Sequence, residues 1–81
     1  MSTIRVSGVR FRVHPQDHEP RHIHSYVGDG HVIIELRAGS VVLADRDDAV
    51  CNAKASEVRK VVRVAAENID VLITLWEQMN E

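Results

Sequence analysis

The alternation of apolar and polar positions divides the chain into two parts. Up to about residue 45 the period is two. Ile4 and Val6, then Val9, Phe11 and Val13, alternate with polar neighbours, and Ser7-Gly8 lies between the runs as a two-residue turn. This register sets Val6 against Val9 and Ile4 against Phe11 on one face. The other face carries Arg5, Arg10, Arg12 and His14. Arg5 falls directly across from Arg10, a repulsive like-charge pair that an anion on that face would relieve.

Residues 15–21 follow as a connecting loop. Pro15 and Pro20 forbid helix, interrupt any ladder and stiffen the segment. Residues 22–37 read as a second hairpin around Asp29-Gly30, a strong type I′ turn signal. With that turn Val27 faces Val32, Ser25 faces Ile34 and Ile23 faces Leu36, so the apolar set shares one face. A three-residue loop over Gly28-Asp29-Gly30 would instead place Ile23 against Glu35. The preferred register leaves His22, His24 and Tyr26 on the opposite face, across from Arg37, Glu35 and Ile33. A short strand over residues 41–45 comes after the Ala38-Gly39-Ser40 turn, and residues 46–53 are a polar connection.

From about residue 54 the period becomes helical. Val58, Val61, Val62, Ala65, Ile69, Leu72, Ile73 and Trp76 recur at steps of three and four, with no Gly or Pro before Met79. The pattern predicts one helix of about 24 residues, roughly 36 Å long. Val64, Val71 and Leu75 fall outside the main stripe, as a ridge that either wraps the sheet edges or meets a partner. The expected fold is α+β: a small antiparallel sheet of two hairpins plus a short strand, packed on one long C-terminal helix. It forms a single domain over 1–81, with a β-rich part over 3–45 and the helix over 54–79.

Composition sharpens this picture in three places. Phe, Tyr and Trp occur once each in 81 residues, so the core must be aliphatic. The single cysteine, Cys51, excludes an internal disulfide and a Cys-based zinc cage, and reads as a half-buried structural thiol. No run approaches the roughly 20 apolar residues of a membrane span, and none reads as a signal peptide, so the expectation is a cytoplasmic protein away from membranes.

The net charge of -2 argues against a general polyanion binder, but it is unevenly spread. Residues 1–40 hold five arginines against Asp17, Glu19, Asp29 and Glu35. Residues 41–81 hold five basic and eight acidic groups. All five histidines (His14, His18, His22, His24 and His31) lie between residues 14 and 31.

That window holds the candidate chemistry. His22 and His24, two apart on a strand, project from the same face. One reading is plain polar surface. A second is acid–base catalysis by His18, His22 and His24, with Arg10, Arg12 and Arg37 holding a phosphate, the parts that metal-independent RNA cleavage needs. It requires no cofactor. A third is a divalent metal, zinc, nickel or manganese, on His22 and His24 with His18 or Asp17 from the loop. Glu35, across from His24, would then fix the imidazole tautomer. Asp45-Arg46-Asp47-Asp48 lacks the EF-hand spacing and reads as a solvated loop.

The segment Asp17-His18-Glu19-Pro20-Arg21-His22-Ile23-His24 resembles a small bacterial domain family of unknown function marked by Asp-His-x-Pro-x-His-x-His. The resemblance extends over the leading hairpin, the Gly28-Asp29-Gly30 turn and the helix from Glu57 to Trp76. Many members have Pro where Arg21 stands, and some have a capping Ser where Lys54 stands. It implies a β-rich domain with one C-terminal helix, whose distinctive feature is formed by Asp17, His18, His22 and His24. Members are often encoded beside another small protein, in pairs that look like toxin–antitoxin modules. The partners this implies are a cognate small protein and nucleic acid; the helix ridge adds a second copy of the chain as an alternative.

Overall fold

The structure is a computed structural model and describes residues 2–14 and 21–80. Its elements are β1 (Ser2–Val6), β2 (Val9–Val13), β3 (Arg21–Val27), β4 (Gly30–Arg37), β5 (Ser40–Leu43), β6 (Val50–Cys51), α1 (Ala55–Glu67) and α2 (Ile69–Asn80). The strands form one antiparallel sheet in the order β1-β2-β3-β4-β5, and β6 pairs with β4 beyond the end of β5. The α+β class follows directly.

The first hairpin has the expected register, with Ile4 opposite Phe11 and Arg5 opposite Arg10. Its turn residues Ser7 and Gly8 both have positive φ, 50° and 82°, the sign pattern of a type I′ turn. The second hairpin differs from expectation. Its turn is Gly28-Asp29, and Ile23 pairs with Ile34, Ser25 with Val32 and Val27 with Gly30. Gly28 alone of the two has positive φ, 56°, as a type II′ turn has at its first position. Gly30 is needed for a different reason. A Cβ there would lie 2.8 Å from the Ala53 Cβ and 2.9 Å from the Asn52 carbonyl oxygen, where the chain crosses toward α1. The glycine marks a close approach and not the turn. The register shifts by two residues, which keeps every side chain on its expected face and changes its neighbours.

One sheet face is the core. Val9, Phe11, Val13, Ile23, Val32 and Ile34 are fully buried there against Val61, Val64, Ala65 and Leu72 of the helices. Val64 therefore belongs to the core and not to an outer ridge. Only Val71 of that trio is strongly exposed, at 53%. The Ser25 hydroxyl is buried in this core without a hydrogen-bond partner among the described residues.

The helical run is divided into two. Asn68 takes φ -123°, and its side-chain amide donates to the Val64 carbonyl at 2.8 Å while its backbone N–H bonds Ala65 at 3.1 Å. An asparagine amide competes with the helical ladder in this way, so α1 ends there and α2 starts one residue later. At the start of α1, the Lys54 N–H donates to Glu57 Oε1 at 2.9 Å. Glu57 thus supplies the reciprocal half of a capping box although Lys54 has no acceptor to supply the other.

The connection after β5 also holds more structure than its polarity predicts. Ala44 and Ala49 hydrogen-bond the two backbone groups of Ile33 and bury its side chain on the second sheet face. Arg46 clasps Asp48 across the loop at 2.6 and 2.9 Å, and that hydrogen bond holds the Asp48 carboxyl below its ordinary pKa. Cys51, on β6, is exposed and not half-buried. No described helix is long and apolar enough to cross a membrane.

Candidate functional site

The second sheet face is where the polar half of each strand points. Period two places Arg10 and Arg12 of β2, His22, His24 and Tyr26 of β3, and His31 and Glu35 of β4 on it. Register then decides who meets whom. One cross-strand row runs Arg5, Arg10, Tyr26, His31 and Cys51. The next runs Thr3, Arg12, His24 and Ile33, and a third sets His22 against Glu35.

Within the first row the Arg10 guanidinium lies 4.7 Å from the Tyr26 ring centroid. His31 stacks against Tyr26 from β4, with centroids 4.8 Å apart and planes within 14°. Tyr26 is thus sandwiched between a cation and an imidazole, a favourable arrangement for its electron-rich ring.

His24 and His31 are joined by a nitrogen–nitrogen contact, Nδ1 to Nε2, of 3.0 Å. Their centroids are 5.2 Å apart and their planes within 10°. The N···N line takes up most of that centroid separation, so the rings lie side by side in nearly one plane and not face to face. That is an N–H···N hydrogen bond, with one imidazole donating and the other accepting. His14 meets the His24 ring at right angles, with centroids 4.4 Å apart. The end of α2 helps hold His14, since the Asn80 amide donates to its carbonyl oxygen at 3.3 Å.

The candidate residues separate accordingly. His18 and Asp17 lie outside the described residues. His24 is in the cluster, but its partners are His14 and His31. His22 stands apart, with Nε2 at 4.0 Å from Glu35 Oε1. Glu35 therefore faces His22 and not His24. Arg37 is held by Glu35, Nε to Oε2 at 2.5 Å, where the carboxylate is largely buried. Arg10 is on the site against Tyr26, and Arg12 lies beside His24 through the sheet register. Among the described residues no three His, Cys, Asp or Glu side chains gather as metal ligands.

His31 and Tyr26 complete the cluster and were not candidates from sequence. The signal for His31 was its place on the polar face of β4; the two-residue register shift hid its neighbour. Arg21 has a role of its own. It lies over the Trp76 ring at 5.3 Å and reaches Glu77 at 3.8 Å, so it pins the start of β3 to α2.

The profile of a family described as Domain of unknown function (DUF4160) matches residues 8–77. The chain belongs to the DUF4160 family. The match covers every strand of the imidazole-bearing face except β1 and nearly all of both helices. No curated protein and no solved structure matches the chain. Membership of DUF4160 carries no activity with it, so the site must speak through its own chemistry.

Proposed function

We propose that this DUF4160 chain is the RNA-acting component of a two-protein, toxin–antitoxin-like module, with the imidazole-bearing sheet face as its working surface. The observation that carries the reading is the His24–His31 pair, an imidazole couple 3.0 Å apart on a face that also bears Arg10 and Arg12. When His31 Nε2–H donates to His24 Nδ1, the His31 Nδ1 is a lone pair and a proton acceptor. Once His31 Nδ1 has taken up a proton, the same nitrogen is a donor. A general base beside arginines suits attack of a ribose 2′-hydroxyl on its own phosphodiester. His31 Nδ1 takes the 2′-hydroxyl proton, the 2′-oxygen bonds phosphorus, and the 5′-oxygen leaves and takes a proton from water. Arg10 and Arg12 offset the charge on the phosphate.

The test compares an RNA oligonucleotide with its all-2′-deoxy counterpart on the purified wild-type chain. The expected result is binding of both at low salt, with cleavage of RNA alone to a 2′,3′-cyclic phosphate. Absence of both binding and cleavage at low salt would overturn the reading.

A second reading has one supporting feature. A shallow groove on α2 is lined by Asp70, Val71, Thr74, Leu75 and Gln78, and Val71 is half exposed in it. Such a surface suits a cognate small protein, or a noncatalytic module that works by association alone. Association without any effect on RNA would favour it. The third reading, a small His-based metal-binding protein, would keep His22 and His24 with His18 and Asp17; elemental analysis and thermal shift with zinc, nickel or manganese decide it.

A further inference from the structure

At the end of the imidazole-bearing face, between the β1–β2 and β3–β4 turns, lies a cleft of about 330 Å³ lined by Arg5, Gly8, Arg10, Tyr26 and Gly28. Arg5 and Arg10 are direct cross-strand partners there. Lys60 of α1, which does not line the cleft, reaches the same β1–β2 turn from the helix layer. A Cβ on Gly8 would lie 3.3 Å from its Nζ, so the ammonium sits against the turn. Among the described residues neither Arg5 nor Arg10 has a carboxylate partner. Two acidic residues stand by the rim: Asp29 follows Gly28 in the turn, and Glu57 has its Oε2 near Gly28 while its Oε1 accepts the Lys54 N–H.

Arg5 and Arg10 are a like-charge pair directly across two strands, an unfavourable arrangement. An anion between them relieves that repulsion, and two guanidinium forks match the oxygens of a phosphate. The aromatic inventory says what part of a ligand is not read here. Phe11 is in the core, Trp76 is buried under Arg21, and Tyr26 has Arg10 on one face and His31 on the other. No Phe, Tyr or Trp ring offers an open face to a nucleobase, which is the usual hold on single strands.

We propose that the Arg5–Arg10 cleft is a phosphate subsite, adjacent to the histidine cluster and sharing Arg10 and Tyr26 with it, that binds its ligand through the phosphate group with no base preference. It deepens the RNA reading and rests on that reading only for which molecule carries the phosphate. Inorganic phosphate is the first probe, titrated against chloride at matched ionic strength and followed by amide shifts and melting temperature. The expected shifts centre on Ser7, Gly8 and Arg10, and Tm rises with phosphate. Arg5→Ala should raise Tm without phosphate, because the repulsion is relieved, and should weaken phosphate binding about tenfold.

The second arm uses one oligonucleotide with a 5′-phosphate and with a 5′-hydroxyl, in uridine-rich and adenosine-rich forms. A preference for the 5′-phosphate assigns a terminal monoester, and equal binding that Arg5→Ala weakens assigns a backbone phosphodiester; either supports the cleft. Phosphate shifts that persist in Arg5→Ala, or that centre on Arg12 and Arg37, overturn it, and so does a strong base preference lost with Arg5. Phosphate held in the cleft with no RNA bound by the chain would instead overturn the RNA reading and leave the cleft standing.

Discussion

The two faces of the sheet are built from alternate residues of the same strands and could hardly differ more. Phe11 points into a core where it is fully buried, and its neighbours Arg10 and Arg12 point out to a surface of guanidinium, phenol and imidazole. Ile23 and Ser25 lie under the helices, while His22, His24 and Tyr26 on the same strand do not. The core face is held by aliphatic burial, a non-directional force that tolerates small changes of partner. The other face depends on which ring meets which, and so on register to the residue. Stability and chemistry are therefore separable here in a way they rarely are in a domain this small.

The largest effect is expected on the core face. Phe11→Ala should cost about 3–5 kcal/mol, a large part of the margin of a chain of this length, and denaturant unfolding should read it as a fall in midpoint. An unchanged midpoint would show that the sheet does not pack on the helices as described. Gly30→Ala comes next. Its Cβ would press on Ala53 and on the Asn52 backbone, so a loss of about 1–3 kcal/mol is expected although Gly30 is not in a left-handed conformation. A neutral result would contradict the close approach of Ala53 and Asn52 to this strand. The smallest effect has the opposite sign. Ser25→Ala removes a buried hydroxyl that has no partner, and should stabilise by about 1 kcal/mol. A loss would mean that the hydroxyl has a partner after all.

The contrast between faces also explains what could be read from the chain. Period-two alternation sorts residues between faces without knowledge of register, so Arg5, Arg10, Arg12, His22 and His24 fall on the expected face. The first hairpin was legible to the pair because Ser7-Gly8 is its sole turn signal. In the second, Gly28-Asp29-Gly30 offers two turns, and the choice depends on Ala53, more than twenty positions away. That long-range contact is invisible to a local pattern. It decides that His31 meets Tyr26 and that Glu35 meets His22. Asn68 is similar: it fits the helical period as a polar position, and only its bond to Val64 divides the helix. Ile33 is apolar on the polar face, and only the fold shows that Ala44 and Ala49 cover it.

The separation of the two faces is tested most directly by one paired measurement on the double variant His24→Ala/His31→Ala, its melting curve and its rate of RNA cleavage side by side. The pair contributes one partly buried hydrogen bond and ring contacts to His14 and Tyr26, so a loss of about 1–2 kcal/mol, or a few degrees in Tm, is expected. Cleavage should fall to background while RNA binding, carried by the arginines, persists. Cleavage at the wild-type rate by the folded double variant, or a collapse of the fold on removing these two rings, would contradict the account.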